Sequence, residues 1–179
     1  MTTTEIVLQL VAGWLIADLL SGVLHWLEDR VLSASLPVLG EYVVAPNRHH
    51  HVDPIDFTRG SLLSRNSTTW IAALAIAAVW LLALGFSFVW LGALAGGLVV
   101  TEVHVRAHRN GVGRLYRILQ EIGFVQSIRH HGQHHRGAMD SRYCILTGWL
   151  NPILDELGVW ARIESLLGTV GFEPNRGTR

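Results

Sequence analysis

Between Thr68 and Val103 the chain carries one charged residue, Glu102. As a single straight helix this block would be ~54 Å long at ~1.5 Å per residue, far beyond the ~30 Å of hydrocarbon in a bilayer. It must fold back, and Leu84-Gly85-Phe86-Ser87 offers the place, with Gly supplying the turn. A further apolar run from Glu5 to Trp26 matches the ~20 residues of one crossing. Backbone polar groups inside hydrocarbon must be satisfied within their own segment, so these runs are read as helices. The expectation is an all-α integral membrane protein with about three transmembrane helices.

Composition agrees. Half of the 179 residues are apolar and only 16% are charged, against ~25% in ordinary soluble domains. The length suits a single membrane-embedded domain over 1–179. The formal net charge of zero gives a nucleic-acid partner no footing. One cysteine, Cys144, excludes an internal disulfide and a thiolate metal site. The Ser33-Ala34-Ser35 stretch imitates a signal-peptide cleavage site, but no Lys or Arg precedes the first apolar run, so that run is read as a retained span.

All fourteen basic residues are Arg, and each lies between Arg30 and Arg65 or beyond Val103. Three spans with a tight hairpin put those two regions on one side, which the positive-inside tendency makes cytoplasmic. Trp14, Trp26, Trp70 and Trp90 are read as parts of interfacial belts. Arg114 to Val125 places Leu115, Ile118, Leu119 and Ile122 at helical spacing, an amphipathic helix lying at the interface or docking on the bundle. A weaker pattern over Trp149 to Leu167 predicts another helix, and the tail after Gly168 is expected to be loose.

The histidines stand at 25, at 49–51, at 104 and 108, and at 130, 131, 134 and 135. His25 ends the first span, His104 and His108 end the third, and the rest lie in cytoplasmic segments. Four sequence-distant groups thus meet at one membrane face. His104 and His108 are i,i+4 and share a helix face; a helix over 129–136 would pair His130 with His134 and His131 with His135. Three or four imidazoles hold one metal, so this many point to two. A lone HxxxH pair or a His-rich loop is often just solvated surface or a weak metal buffer, but that explains one cluster and leaves the other three. Zinc is the rival metal, although HExxH is absent, as is the GxSxG of a serine nucleophile. Many neutral nitrogen donors at the edge of hydrocarbon fit oxygen activation on iron. Asp18 is costly inside a span and shares a face with Ser21, Gly22 and His25. It either orients the His25 ring or makes a buried contact with another element.

Taken together, Asp18-Leu19-Leu20-Ser21-Gly22-Val23-Leu24-His25-Trp26, His50-His51-Val52-Asp53-Pro54, His104-Val105-Arg106-Ala107-His108, Arg129-His130-His131-Gly132-Gln133-His134-His135 and Tyr143-Cys144-Ile145-Leu146-Thr147-Gly148-Trp149-Leu150-Asn151-Pro152 resemble the lipid desaturase (Kua) family. The likeness runs from about Ile16 to Pro174. It implies a diiron site, O2 as oxidant, a phospholipid substrate and a separate electron donor such as cytochrome b5 or a ferredoxin. Carried over by position, the implied ligands are His25, His50, His51, His104, His108, His130, His131, His134 and His135, with His49 outside the pattern. Zinc would be no surprise in a purified sample, because it outranks ferrous iron in affinity. Asp53-Pro54 and Trp149-Leu150-Asn151 favour the branch that makes the vinyl ether of plasmalogens from plasmanylethanolamine. The loop from Thr58 to Asn66 departs from the family pattern. Asp18 and Asp53 are candidates for holding ligands in place, and Arg106, Arg109 and Arg129 for the lipid phosphate, unless they merely set topology. The alternatives are a trans-3 acyl desaturase of phospholipid, a diiron hydroxylase of lipid, sterol or carotenoid, and a metal-handling membrane protein.

Overall fold

A computed structural model describes residues 1–136 and 139–175, and among these there are helices and turns but no strand. Three long helices dominate: α1 (Thr3–Trp26), α3 (Leu62–Leu84) and α4 (Phe88–Ala107). Each is long and apolar enough to cross a membrane, α1 running on without a break through a π-helical turn, Leu27–Val31. Side chains mark their starts. Thr2 and Glu5 form a reciprocal capping box on α1, and Ser61 and Ser87 accept from the backbone N–H of Ser64 and Trp90 on α3 and α4. Gly85 closes the α3–α4 hairpin at φ +76°, a conformation side chains resist.

The hairpin folds back where the sequence predicts, but both arms extend past the ends of the nearly uncharged block. Arg65, in the first turn of α3, meets Glu102 of α4 through two bonds of 2.7 and 2.9 Å, and Asn66 adds a third at 2.8 Å. Paired charges let the helices run on past the apolar core.

α4 packs against both α1 and α3, which scarcely touch each other. The α1–α4 contact is very close: a Cβ on Gly92 would lie 2.2 Å from the Leu10 carbonyl, and one on Gly13 would lie 2.0 Å from that of Val89. Gly92 and Gly96, four apart, form the small-residue stripe that lets membrane helices approach at backbone distance. α3 is different. Only 6% of its most apolar stretch is buried, against 39% for α4. Leu74, Val79 and Leu82 are all more than half exposed, a face that only hydrocarbon suits.

Trp14, Trp26, Trp70 and Trp90 each make an indole hydrogen bond inside the fold. Trp14 donates to the Phe124 carbonyl, Trp26 to Glu164, Trp70 to Leu98 and Trp90 to Ala77, so each staples two parts of the fold. The remaining helices gather at the far ends of α1, α3 and α4: α2 (Ala45–Val52), α5 (Arg114–Glu121), α6 (Ile128–His134), α7 (Leu150–Glu156) and α8 (Val159–Gly168). α5 is amphipathic as expected, with Leu115, Ile118 and Ile122 exposed. The single helix expected from 149 to 167 is two, because Gly158 adopts a left-handed conformation between α7 and α8. Nor is the tail loose as far as Asn175, whose backbone and side chain bond the Arg30 and Leu32 carbonyls.

Candidate metal centre

One face of α1 organises the site. Asp18 accepts from the backbone N–H of Leu146 and Thr147 and from the Thr147 hydroxyl. Ser21 accepts from Ile145 N–H, and Gly22 lets Cys144 approach, since a Cβ there would fall 2.6 Å from its Sγ. His25 Nδ1 lies 3.2 Å from the Tyr143 carbonyl. Positions 18, 21, 22 and 25 therefore read the irregular segment 143–147 in reverse order, one helix face against one extended stretch. Buried loops are rare because their backbone polar groups need partners, and here side chains supply them: Gln126 Nε2 and Asn151 Nδ2 both reach the Cys144 carbonyl, and Asn151 Oδ1 takes its N–H. Asp18 thus secures the irregular, carbonyl-bearing stretch that faces His25 rather than touching the ring itself.

Beyond this face the histidines gather in two adjoining groups. His50, His104, His108, His131 and His135 form one; His25, His51, His134 and Asp29 form the other, and within each the donor atoms all lie within 4.8 Å of one another. His50 of the first and His51 of the second are neighbours on α2, with ring centroids 4.3 Å apart. Helical spacing does the placing: His104 and His108 sit one turn apart at the end of α4, and His131 and His135 do the same on α6.

The donor atoms fit a cation. Nε2 of His104, His108 and His131 are mutually 2.8–3.1 Å apart, and that of His135 is 2.9 Å from His131. Each neutral ring offers either a proton or a lone pair at Nε2, so three mutually close nitrogens always leave one mismatched pair. A shared cation removes the conflict, because bonds of ~2.1 Å at right angles put donors ~3 Å apart. Burial, then the neighbouring imidazoles, drives the His131 and His50 pKa values well below the ordinary range, and lowers His135 to about 2 and His108 to about 4. These rings are neutral at pH 7 and present lone pairs.

In the second group His51 Nε2 is 3.0 Å from Asp29 Oδ1, while Nε2 of His134 and His25 lie 3.2 and 3.5 Å from Oδ2. His25 Nε2, His134 Nε2 and Asp29 Oδ2 are buried without a hydrogen-bond partner, as is His50 Nε2 in the first group. Unpartnered buried donors and acceptors aimed at a common point are what a bound cation would satisfy. The His134 ring is steadied by its Nδ1, 2.7 Å from the Ser141 carbonyl.

Eight of the nine histidines implied by the resemblance thus stand in the two groups. His130 stands in neither: its Nε2 is 3.0 Å from Asn151 Nδ2. His49 is exposed and 3.3 Å from Asp56. Asp53 caps its own turn, accepting from Ile55 and Asp56 N–H. Arg106 is exposed over the Tyr116 ring at 5.1 Å, Arg109 bonds the Thr58 carbonyl, and Arg129 is exposed on α6. The residue that sequence reasoning missed is Asp29. Its signal was available, since it lies four residues after His25 and so on the same side of the helix.

A cavity of about 1140 Å³ opens between α1 and α3 with α4 at its back, and reaches His25, His50 and His104. Phe57 stands at this junction, its ring 4.9 Å from His104 and 5.5 Å from both His50 and His108.

Comparison with known proteins gives the family. The model of the lipid desaturase domain matches residues 14–176. Plasmanylethanolamine desaturase 1 of Mus musculus is 30% identical over 186 residues, covering 96% of this chain and 69% of its own. Plasmanylethanolamine desaturase of Myxococcus xanthus is 30% identical over 87% of this chain and 58% of its own. The chloroplastic fatty acid desaturase 4 of Arabidopsis thaliana is 34% identical over 86% of this chain and 49% of its own. The chain thus spans about half the length of the bacterial and plant relatives. No solved structure matches it.

Proposed function

The chain belongs to the lipid desaturase family, and on that footing we propose that it is an O2-dependent diiron enzyme forming the vinyl ether of plasmalogens from plasmanylethanolamine. The observation that carries the reading is the pair of adjoining donor groups opening onto an apolar cavity between membrane-spanning helices. The reaction balances as –O–CH2–CH2– plus O2, two electrons and two protons giving –O–CH=CH– plus two waters. The electrons come from a separate one-electron carrier of the cytochrome b5 or ferredoxin class.

His50, His104, His108, His131 and His135 would hold one iron and His25, Asp29, His51 and His134 the other. When bound, the pair supplies the oxidising power to remove hydrogen from two adjacent carbons. The protein's own part is positional. Phe57 packs its ring against His50, His104 and His108 and covers part of their apolar faces where the cavity meets them. The donors sit at helix ends, at the depth of an ether or ester linkage rather than of a chain terminus. The arginine-rich side of the bundle, which carries the centre, faces the cytoplasm and the electron donor.

The test is lipid mass spectrometry of a host that lacks vinyl ethers, supplied with an alkyl-ether precursor, with and without this chain. Acid-labile vinyl ether should appear only with the chain and vanish in anaerobic culture. Its absence from membranes that contain abundant, iron-loaded protein would overturn the reading. The likeness to chloroplastic fatty acid desaturase 4 favours one alternative, a double bond in a phospholipid acyl chain. The same spectra would reveal it as an acid-stable loss of two hydrogens.

A further inference from the structure

We propose that the cleft between α1 and α3 seats, at full extension, the one hydrocarbon chain that is desaturated, and that Trp80 and Trp90 close its far end and set the chain length accepted. This rests on the desaturase reading above.

The cleft is a consequence of packing. α1 and α3 both lean on α4 and scarcely on each other, so a trough runs the length of α4. Its back wall is a single helical face, from His104 through Thr101, Gly97 and Ala93 to Trp90. Fourteen residues separate His104 from Trp90, which at ~1.5 Å each makes the trough ~21 Å long. An all-trans chain with ~1.5 Å carbon–carbon bonds advances ~1.3 Å per carbon, so the trough takes about sixteen carbons.

The two ends differ in chemistry. At the histidine end the lining includes Glu28, Glu41, Asn47, Asp56, Arg59 and Arg65, both charges together, which suits the headgroup of an amphiphile. Along the trough α3 contributes mostly small side chains: Thr69 bonds Thr101 and Ala73 packs on Gly97 to close the seam with α4, and Ala72 lines the space beside them. At the other end two indoles replace them. Trp90 is held there by its N–H bond of 2.8 Å to the Ala77 carbonyl, just before the Gly85 turn. An extended chain with its reacting carbons near His25, His50 and His104 therefore meets a rigid stop. Too long a chain must buckle, and too short a chain leaves apolar wall uncovered.

Two variants move the stop in opposite directions without touching the donor residues. Trp80→Ala lengthens the trough and Ala72→Phe blocks it partway. Each is expressed in a host fed a ladder of alkyl-chain lengths, and the product profile is read against the substrate pool. Wild type should show a cutoff near the trough length. Trp80→Ala should move it to longer chains and Ala72→Phe to shorter ones, product ratios changing about fourfold per methylene near the cutoff. Chain lengths of phospholipid co-purifying with each protein give a second readout that needs no turnover. Unchanged product and co-purified profiles in both variants, at equal abundance and metal content, would overturn the proposal. If wild type makes no unsaturated product at all, the desaturase reading fails, and the co-purified lipids still decide the trough.

Discussion

The two donor groups differ in charge and in what holds them still. The five-imidazole group is neutral, and four of its rings are set by helical repeat on α4 and α6. The other group contains the carboxylate of Asp29, which offsets part of a cation's charge, and two of its rings face backbone carbonyls, of Tyr143 and Ser141, in an irregular segment. Helical repeat sets two pairs in the first group, on α4 and α6, and one in the second, His25 with Asp29. The second group also leans on a segment over a hundred residues from His25. They therefore should fail in different ways.

The largest effect expected is loss of one ion at a time. His131→Ala removes the nitrogen at the middle of the 2.8–2.9 Å cluster. Asp29→Asn keeps the shape of the other group and removes its only negative charge. On the proposed diiron reading, each should leave about one metal per chain instead of two and lower vinyl-ether formation at least ~100-fold. Metal analysis checks the count, and both variants retaining two ions would dissolve the distinction between the groups.

A smaller effect is expected at His130. It contacts Asn151, which bonds Cys144, so it supports the irregular segment rather than a cation. His130→Gln should keep both metals and lose at most ~1–2 kcal/mol of stability, the scale of one buried hydrogen bond. Thermal unfolding in detergent alongside metal analysis checks this; a lost ion would return His130 to the ligand set. The smallest effect is His49→Ala. Among the described residues this exposed ring pairs with Asp56, and such surface pairs contribute ~0–1 kcal/mol. Most activity should remain, whereas His50→Ala and His51→Ala should abolish it. Equal losses in lipid assays of all three, at equal abundance, would place His49 in the centre.

The same contrast explains what the sequence made legible. The three spans, the Gly85 turn and the i,i+4 pairs on α4 and α6 follow from patterns local in the chain, so periodicity exposes them. Asp29 was missed because it lies in a π-helical turn after the apolar run ends, where its neighbours Glu28 and Arg30 read as ordinary interfacial charge. His130 and His131 look alike in sequence, yet adjacent residues on a helix point ~100° apart, and only tertiary packing tells which turns inward. Asp18 was visible as an anomaly, but its partners at 146 and 147 carry no mark in the chain, being mostly backbone N–H groups.

That contact has a consequence for biosynthesis. Asp18 and Leu146 are 128 residues apart, so at translation speeds of ~5–20 residues per second Asp18 precedes its partners out of the ribosome by ~6–25 s. During this interval α1 can enter the bilayer and pair with α4 through Gly13 and Gly92, but a carboxylate on its inner face remains without partners. The three-helix bundle is thus complete before the enzyme is. Chains arrested between α4 and Ser127 would carry the three long helices but lack α6, and with it His131, His134 and His135 of the two donor groups.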